Sequence, residues 1–136
     1  MAVAHSVEVR ARGGERCEYC RMHDALQGAT FHVEHVVPRC LGGSDEMENL
    51  AWACPSCNLH KSARTVARDP EIEAEVELFN PRLHVWREHF GFKKFEIIGW
   101  TAVGRSAIKL LHMNDARRVR IRQAELLFGL FPPQDQ

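Results

Sequence analysis

From Phe31 to Val37 the chain reads Phe-His-Val-Glu-His-Val-Val, apolar and β-branched residues interleaved with polar ones until Pro38 ends the run. This pattern predicts a strand. Residues 41–48, with Gly42-Gly43 and Asp45, read as a loop closed by Asn49, and the short apolar stretch Leu50–Ala53 reads as a returning strand. Pro55 suits the first turn of a helix, predicted from Ser56 to about Val66 and stopped by Asp69-Pro70. Beyond it Glu71, Glu73, Glu75 and Glu77 alternate with Ile72, Ala74, Val76 and Leu78, a strand-like period, although Glu and Ala also suit a helix. Leu83, Trp86, His89 and Phe90 have helical spacing within residues 81–90, with Gly91 as the expected stop. A further strand is predicted over Phe95–Trp100. Thr101 is placed to cap a helix running through about Met113, and Asn114 to cap a last one over Asp115–Phe128, with Gly129 after it. Residues 1–14 read as a loose arm ending in Gly13-Gly14, and the three tryptophans, Trp52, Trp86 and Trp100, as core.

Composition sharpens this picture. With 136 residues, 45% hydrophobic and 26% charged, the chain has the make-up of a folded domain rather than a disordered one. We expect an N-terminal arm (1–16), a core (17–69) and a C-terminal extension packed on it (70–136). Eighteen basic residues balance eighteen acidic ones, so any affinity for phosphates must come from local clustering. Residues 105–122 supply such a cluster: Arg105, Lys109, Arg117, Arg118, Arg120 and Arg122 face only Asp115, a net of five positive charges. The four arginines within 117–122 lie too close together to share one helical face, so part of the set is expected in solvent. No apolar stretch approaches the roughly 18 residues of a membrane span, and the start lacks an apolar leader core. A soluble, cytoplasmic protein with no membrane partner is expected, and no oligomer seam is legible.

Five cysteines in a chain of that kind favour metal ligation over disulfides. Cys17-Glu-Tyr-Cys20 and Cys54-Pro-Ser-Cys57 form two knuckles of equal spacing, and Cys40 stands apart. Four thiolates so arranged suit a tetrahedral structural zinc, the alternative being buried thiols or redox pairs. Between the knuckles lie Glu34-His35 and Asn49, and the second knuckle runs directly into Asn58-Leu-His60-Lys61.

The segments Phe31-His-Val-Glu-His-Val-Val-Pro-Arg39 and Asn49-Leu-Ala-Trp-Ala-Cys-Pro-Ser-Cys-Asn-Leu-His-Lys61 together resemble the HNH endonucleases over roughly residues 17–65. The resemblance implies an α+β protein: a ββα-metal (His-Me finger) core stapled by a four-cysteine zinc site, followed here by a C-terminal mixed α/β extension. It implies that His35 is the general base taking a proton from water, a task suited to imidazole. By the same likeness Glu34 and Asn58 hold a catalytic divalent ion, Mg²⁺ or else Mn²⁺ or Ni²⁺, and Asn49 anchors the loop beside the base. Where the family commonly has Asp before the base this chain has Glu34, one methylene longer, and Asn58 stands at the position of the name-giving third histidine. His60 and Lys61 are candidate phosphate contacts, His60 alternatively a merely exposed side chain. The implied partner is nucleic acid, DNA first, nicked one strand per active site; the other possibility is a catalytically inactive, zinc-stapled binding or interaction module.

Overall fold

The computed structural model describes residues 5–134. Strands β1 (His32–His35) and β2 (Leu50–Ala53) form an antiparallel hairpin with Glu34 opposite Ala51 and His35 opposite Leu50. The order strand, loop, strand, helix is the ββα arrangement expected. The loop between the strands folds tightly onto the end of β1. A side chain at Gly43 would put its Cβ 1.7 Å from the Val37 carbonyl oxygen, so only glycine fits.

Helix α1 (Ser6–Arg12) precedes the hairpin and corrects the expectation of a loose arm. Val9 is fully buried, and Arg12 donates to the carbonyls of Met47 and Leu50. The first four residues of that arm lie outside the described ones. Helix α2 (Pro55–Lys61) begins as predicted, with Pro55 at its first position and the Cys54 sulfur accepting from the Cys57 backbone N–H. It ends well before Val66: Ser62 takes a positive φ of 51°, and the chain leaves as β3 (Val66–Asp69), paired antiparallel with β4 (Ala74–Glu77). The alternating glutamates therefore include a strand, on its wet side.

Only Trp86–His89 of the expected 81–90 helix is helical (α3). Gly91 lies inside β5 (Phe90–Lys93), which pairs with β6 (Glu96–Gly99). Trp100 is a second correction: it lies across Gly91 at the edge of that hairpin, 59% exposed, while Trp52 and Trp86 are buried. Helix α4 (Ala102–Leu110) is capped by Thr101 as predicted. Helix α5 (Ala116–Leu127) starts after Asp115, because the Asn114 side chain is engaged elsewhere, bridging both the N–H and the carbonyl of Ile97. Among the described residues no helix is long and apolar enough to cross a membrane.

Candidate functional site

The two knuckles meet. Cys17, Cys20, Cys54 and Cys57 are all buried, and their sulfurs lie within 4.8 Å of one another, the only such metal-ligating group among the described residues. Four convergent thiols with no competing acid form a donor set that could hold a zinc ion. The C-terminal extension contributes to this cluster. Arg118, on α5 and 2% exposed, donates through Nη2 to Cys57 Sγ at 3.1 Å and Cys54 Sγ at 3.5 Å and through Nη1 to the carbonyls of Leu111 and His112. Burial opposes a charge at Arg118, but the neighbouring thiolates outweigh it and raise its pKa. Burial likewise works against thiolate at Cys20, yet hydrogen bonds from the other three cysteines and the Arg118 charge hold it well below its ordinary value. Arg122, one turn on, binds the carbonyls of Phe95 and Met113. Arg118 and Arg122 thus serve the interior, and only Arg117 and Arg120 of that run lie exposed.

Adjacent residues of β1 point to opposite sides. Glu34 turns inward, 6% exposed, with Oε1 accepting from the Tyr19 hydroxyl at 2.6 Å and Oε2 lying 2.5 Å from Lys61 Nζ. Burial raises the Glu34 pKa, against the opposing pull of Lys61 and Tyr19. Lys61 is 1% exposed and donates also to the carbonyls of His35 and Val36, at 3.2 and 2.9 Å. Its ammonium is thus enclosed by three oxygens, and the phosphate contact expected of it has no open side to use.

His35 turns outward. Its Nε2 lies 2.7 Å from Asp45 Oδ1, and the same oxygen accepts from Arg39 Nε at 2.7 Å. Hydrogen bonds from Arg39 and His35 keep the Asp45 carboxyl below its ordinary value, so it is an acceptor and Nε2 is the protonated nitrogen. In the neutral ring Nδ1 then carries the lone pair. Asn49 clamps the loop at the end of β1: its Oδ1 accepts from the Val37 N–H at 2.9 Å, and its Nδ2 donates to the carbonyls of Val37 and Ser44. Asn58 is half-buried on α2, three residues before Lys61 and hence on the same side of the helix, with its side chain making no hydrogen bond among the described residues. His60 stacks on His112 from the segment after α4, ring centroids 4.0 Å apart. Burial and that neighbour lower its pKa.

The fold thus gathers Tyr19, Glu34 and Lys61 in one buried triad and pairs His35 with Asp45, two partners that spacing alone did not single out. Tyr19 sits inside the first knuckle, and its position there is the signal that it would reach the strand the knuckle closes on. The family model described as HNH endonuclease matches residues 17–64. No curated protein and no solved structure matches the chain. The four cysteines gathered from two knuckles and the ββα hairpin-helix unit between them fall within the residues, 17–64, that match the HNH endonuclease family model.

Proposed function

We propose that the chain hydrolyses phosphodiester bonds in nucleic acid, DNA first, cutting one strand per active site, with His35 as general base. The observation that carries this reading is the His35–Asp45 hydrogen bond. It fixes the ring's tautomer and rotation so that Nδ1 is offered to a water molecule from a partly exposed edge of the hairpin; the proton passes from that water to Nδ1 as the water oxygen bonds to phosphorus, the phosphorus–oxygen bond to one strand end breaks, and the leaving oxygen takes a proton from solvent. Asn49 supports the geometry by holding Val37 and Ser44, and with them the loop that carries Asp45. A zinc ion on Cys17, Cys20, Cys54 and Cys57 would be structural, fixing both ends of the hairpin.

The family implies a divalent ion, Mg²⁺ or else Mn²⁺ or Ni²⁺, for which Glu34 and Asn58 are the candidate donors. The present arrangement does not fit Glu34 to that task, because Tyr19 and Lys61 take both its oxygens. The same observation favours a second reading, a zinc-stapled nucleic-acid-binding module without hydrolytic activity. Supercoiled plasmid incubated with the protein and Mg²⁺, Mn²⁺, Ni²⁺ or EDTA separates the two. We expect metal-dependent nicking, reduced about 10²–10⁴-fold in His35→Ala, the usual contribution of a positioned base. Equal nicking by both proteins removes His35 from the mechanism; none by either leaves the binding module.

A further inference from the structure

Between the end of α1, the first knuckle and the C-terminal segment lies a cavity of about 480 Å³, within the roughly 300–1,000 Å³ typical of small-ligand sites. Its wall carries three guanidinium groups, Arg12, Arg16 and Arg21, with Leu130 and Gln134 closing one side. Ion pairs among the described residues engage Arg10, Arg39, Arg82 and Arg105, but none of these three. What orients them is neutral. Arg12 donates to the carbonyls of Met47 and Leu50, and Arg16 to those of Arg21 and Leu130. Arg21 lies over the Trp86 ring, 5.5 Å from its centroid, and its guanidinium donates no hydrogen bond among the described residues, its Nε being buried and unpartnered. Carbonyl oxygens aim a guanidinium without cancelling its charge.

Two nearby acidic groups lie outside the cavity and reach its arginines only through space, with no hydrogen bond or ion pair to them. The cysteine cluster, which accepts hydrogen bonds from Arg118, acts on Arg21, and Glu125, which accepts from the His23 backbone N–H, acts on Arg16. Three like charges around one concavity repel one another until an anion enters. The planar donor fork of arginine matches phosphate oxygens. Arg12 also ties the cavity to the hairpin, because the two carbonyls it grips flank Asn49, the residue that clamps the loop beside His35.

We propose that this arginine-lined cavity is a second nucleic-acid contact, taking one phosphate of the strand on which His35 acts. The inference rests on the hydrolase reading for the identity of the strand, and on the cavity alone for the phosphate. The test uses the full, zinc-loaded chain in a His35→Ala background, so that nothing is cut. The probes are inorganic phosphate, followed by its effect on the melting temperature, and a short fluorescent single-stranded DNA with and without a 5′-phosphate, followed by anisotropy. Arg16→Gln removes one donor. Because Arg16 adjoins a cysteine, Gln134→Glu is the second variant: it adds a carboxylate at the exposed rim without removing any arginine. Both are expected to abolish stabilisation by inorganic phosphate and to weaken DNA binding about tenfold, the scale of a lost charge-assisted hydrogen bond, with zinc content unchanged. Tighter binding of the phosphorylated strand would assign a terminal phosphate; equal binding of both strands, equally weakened by the variants, would assign a backbone one. Phosphate stabilisation and DNA affinity that ignore both substitutions would overturn the proposal. A plasmid left uncut by the unsubstituted protein while the phosphate response persists would instead sink the hydrolase reading and spare the cavity.

Discussion

One step along β1 sends two neighbouring side chains into opposite environments. Glu34 is drawn into the interior by Tyr19 and Lys61, while His35 is left at the surface with Asp45. The inward pair is a buried salt bridge, for which desolvation offsets much of the attraction, so its removal as a unit costs little while removal of one partner strands a charge. Lys61→Met is accordingly expected to lower the unfolding free energy by about 3–5 kcal/mol, and the double variant Glu34→Leu/Lys61→Met to recover most of that loss. Urea unfolding of the four proteins of the cycle measures it. If Lys61→Met alone proves neutral, the carboxylate is not held by this lysine and is open to other ligands.

At the scale of elements, the hairpin was legible because residues 31–37 are rich in β-branched and aromatic side chains and end at Pro38, and because Pro55 marks the start of α2. The end of α2 was not. Ser62-Ala-Arg-Thr-Val66 contains no helix breaker, and what pulls residues 66–69 into a strand is distant: pairing with β4, and the buried Asp69 bound by Arg105 of α4 at 2.8 Å. Asp45 escaped notice for the same reason, its contact with the base being made across a loop. The expected stop at Gly91 failed because the residue is needed for its bareness, the Trp100 ring lying where a Cβ would be. Gly104 has a comparable role inside α4. It lets the first turn of the helix approach the end of α3, where a Cβ would meet the His89 carbonyl oxygen at 2.1 Å, and His89 itself bonds the Thr101 cap through Nδ1. Gly104→Ala should therefore destabilise by about 1–3 kcal/mol, despite the better helix propensity of alanine; a raised melting temperature would contradict this packing.

For the whole molecule, the sulfur cluster joins the first knuckle, α2 and α5, so metal occupancy and global stability are expected to move together. Addition of a strong zinc chelator should lower the melting temperature and abolish the cooperative transition seen by circular dichroism, with zinc recovered in the chelate; an unchanged melt would remove zinc from the account. A second global handle is Glu125, whose carboxyl burial pushes up to about 7 from an ordinary 4.5, opposed by the His23 backbone N–H. The folded state then holds this proton more tightly than the unfolded one. Its contribution is fully present below 4.5 and is lost as pH rises through about 7. Glu125→Gln should flatten the decline in melting temperature between acid and mildly alkaline buffer, and an unaltered pH profile would show that the group is already ionised throughout.

Arg118 gives this architecture a temporal side. The first two cysteines leave the ribosome well ahead of the arginine that hydrogen-bonds their partners, so a nascent chain can gather its four thiols before their counter-cation exists. Premature termination between α2 and α5 would leave that cluster exposed and unbalanced, a product that proteases and thiol oxidants should clear faster than the finished molecule.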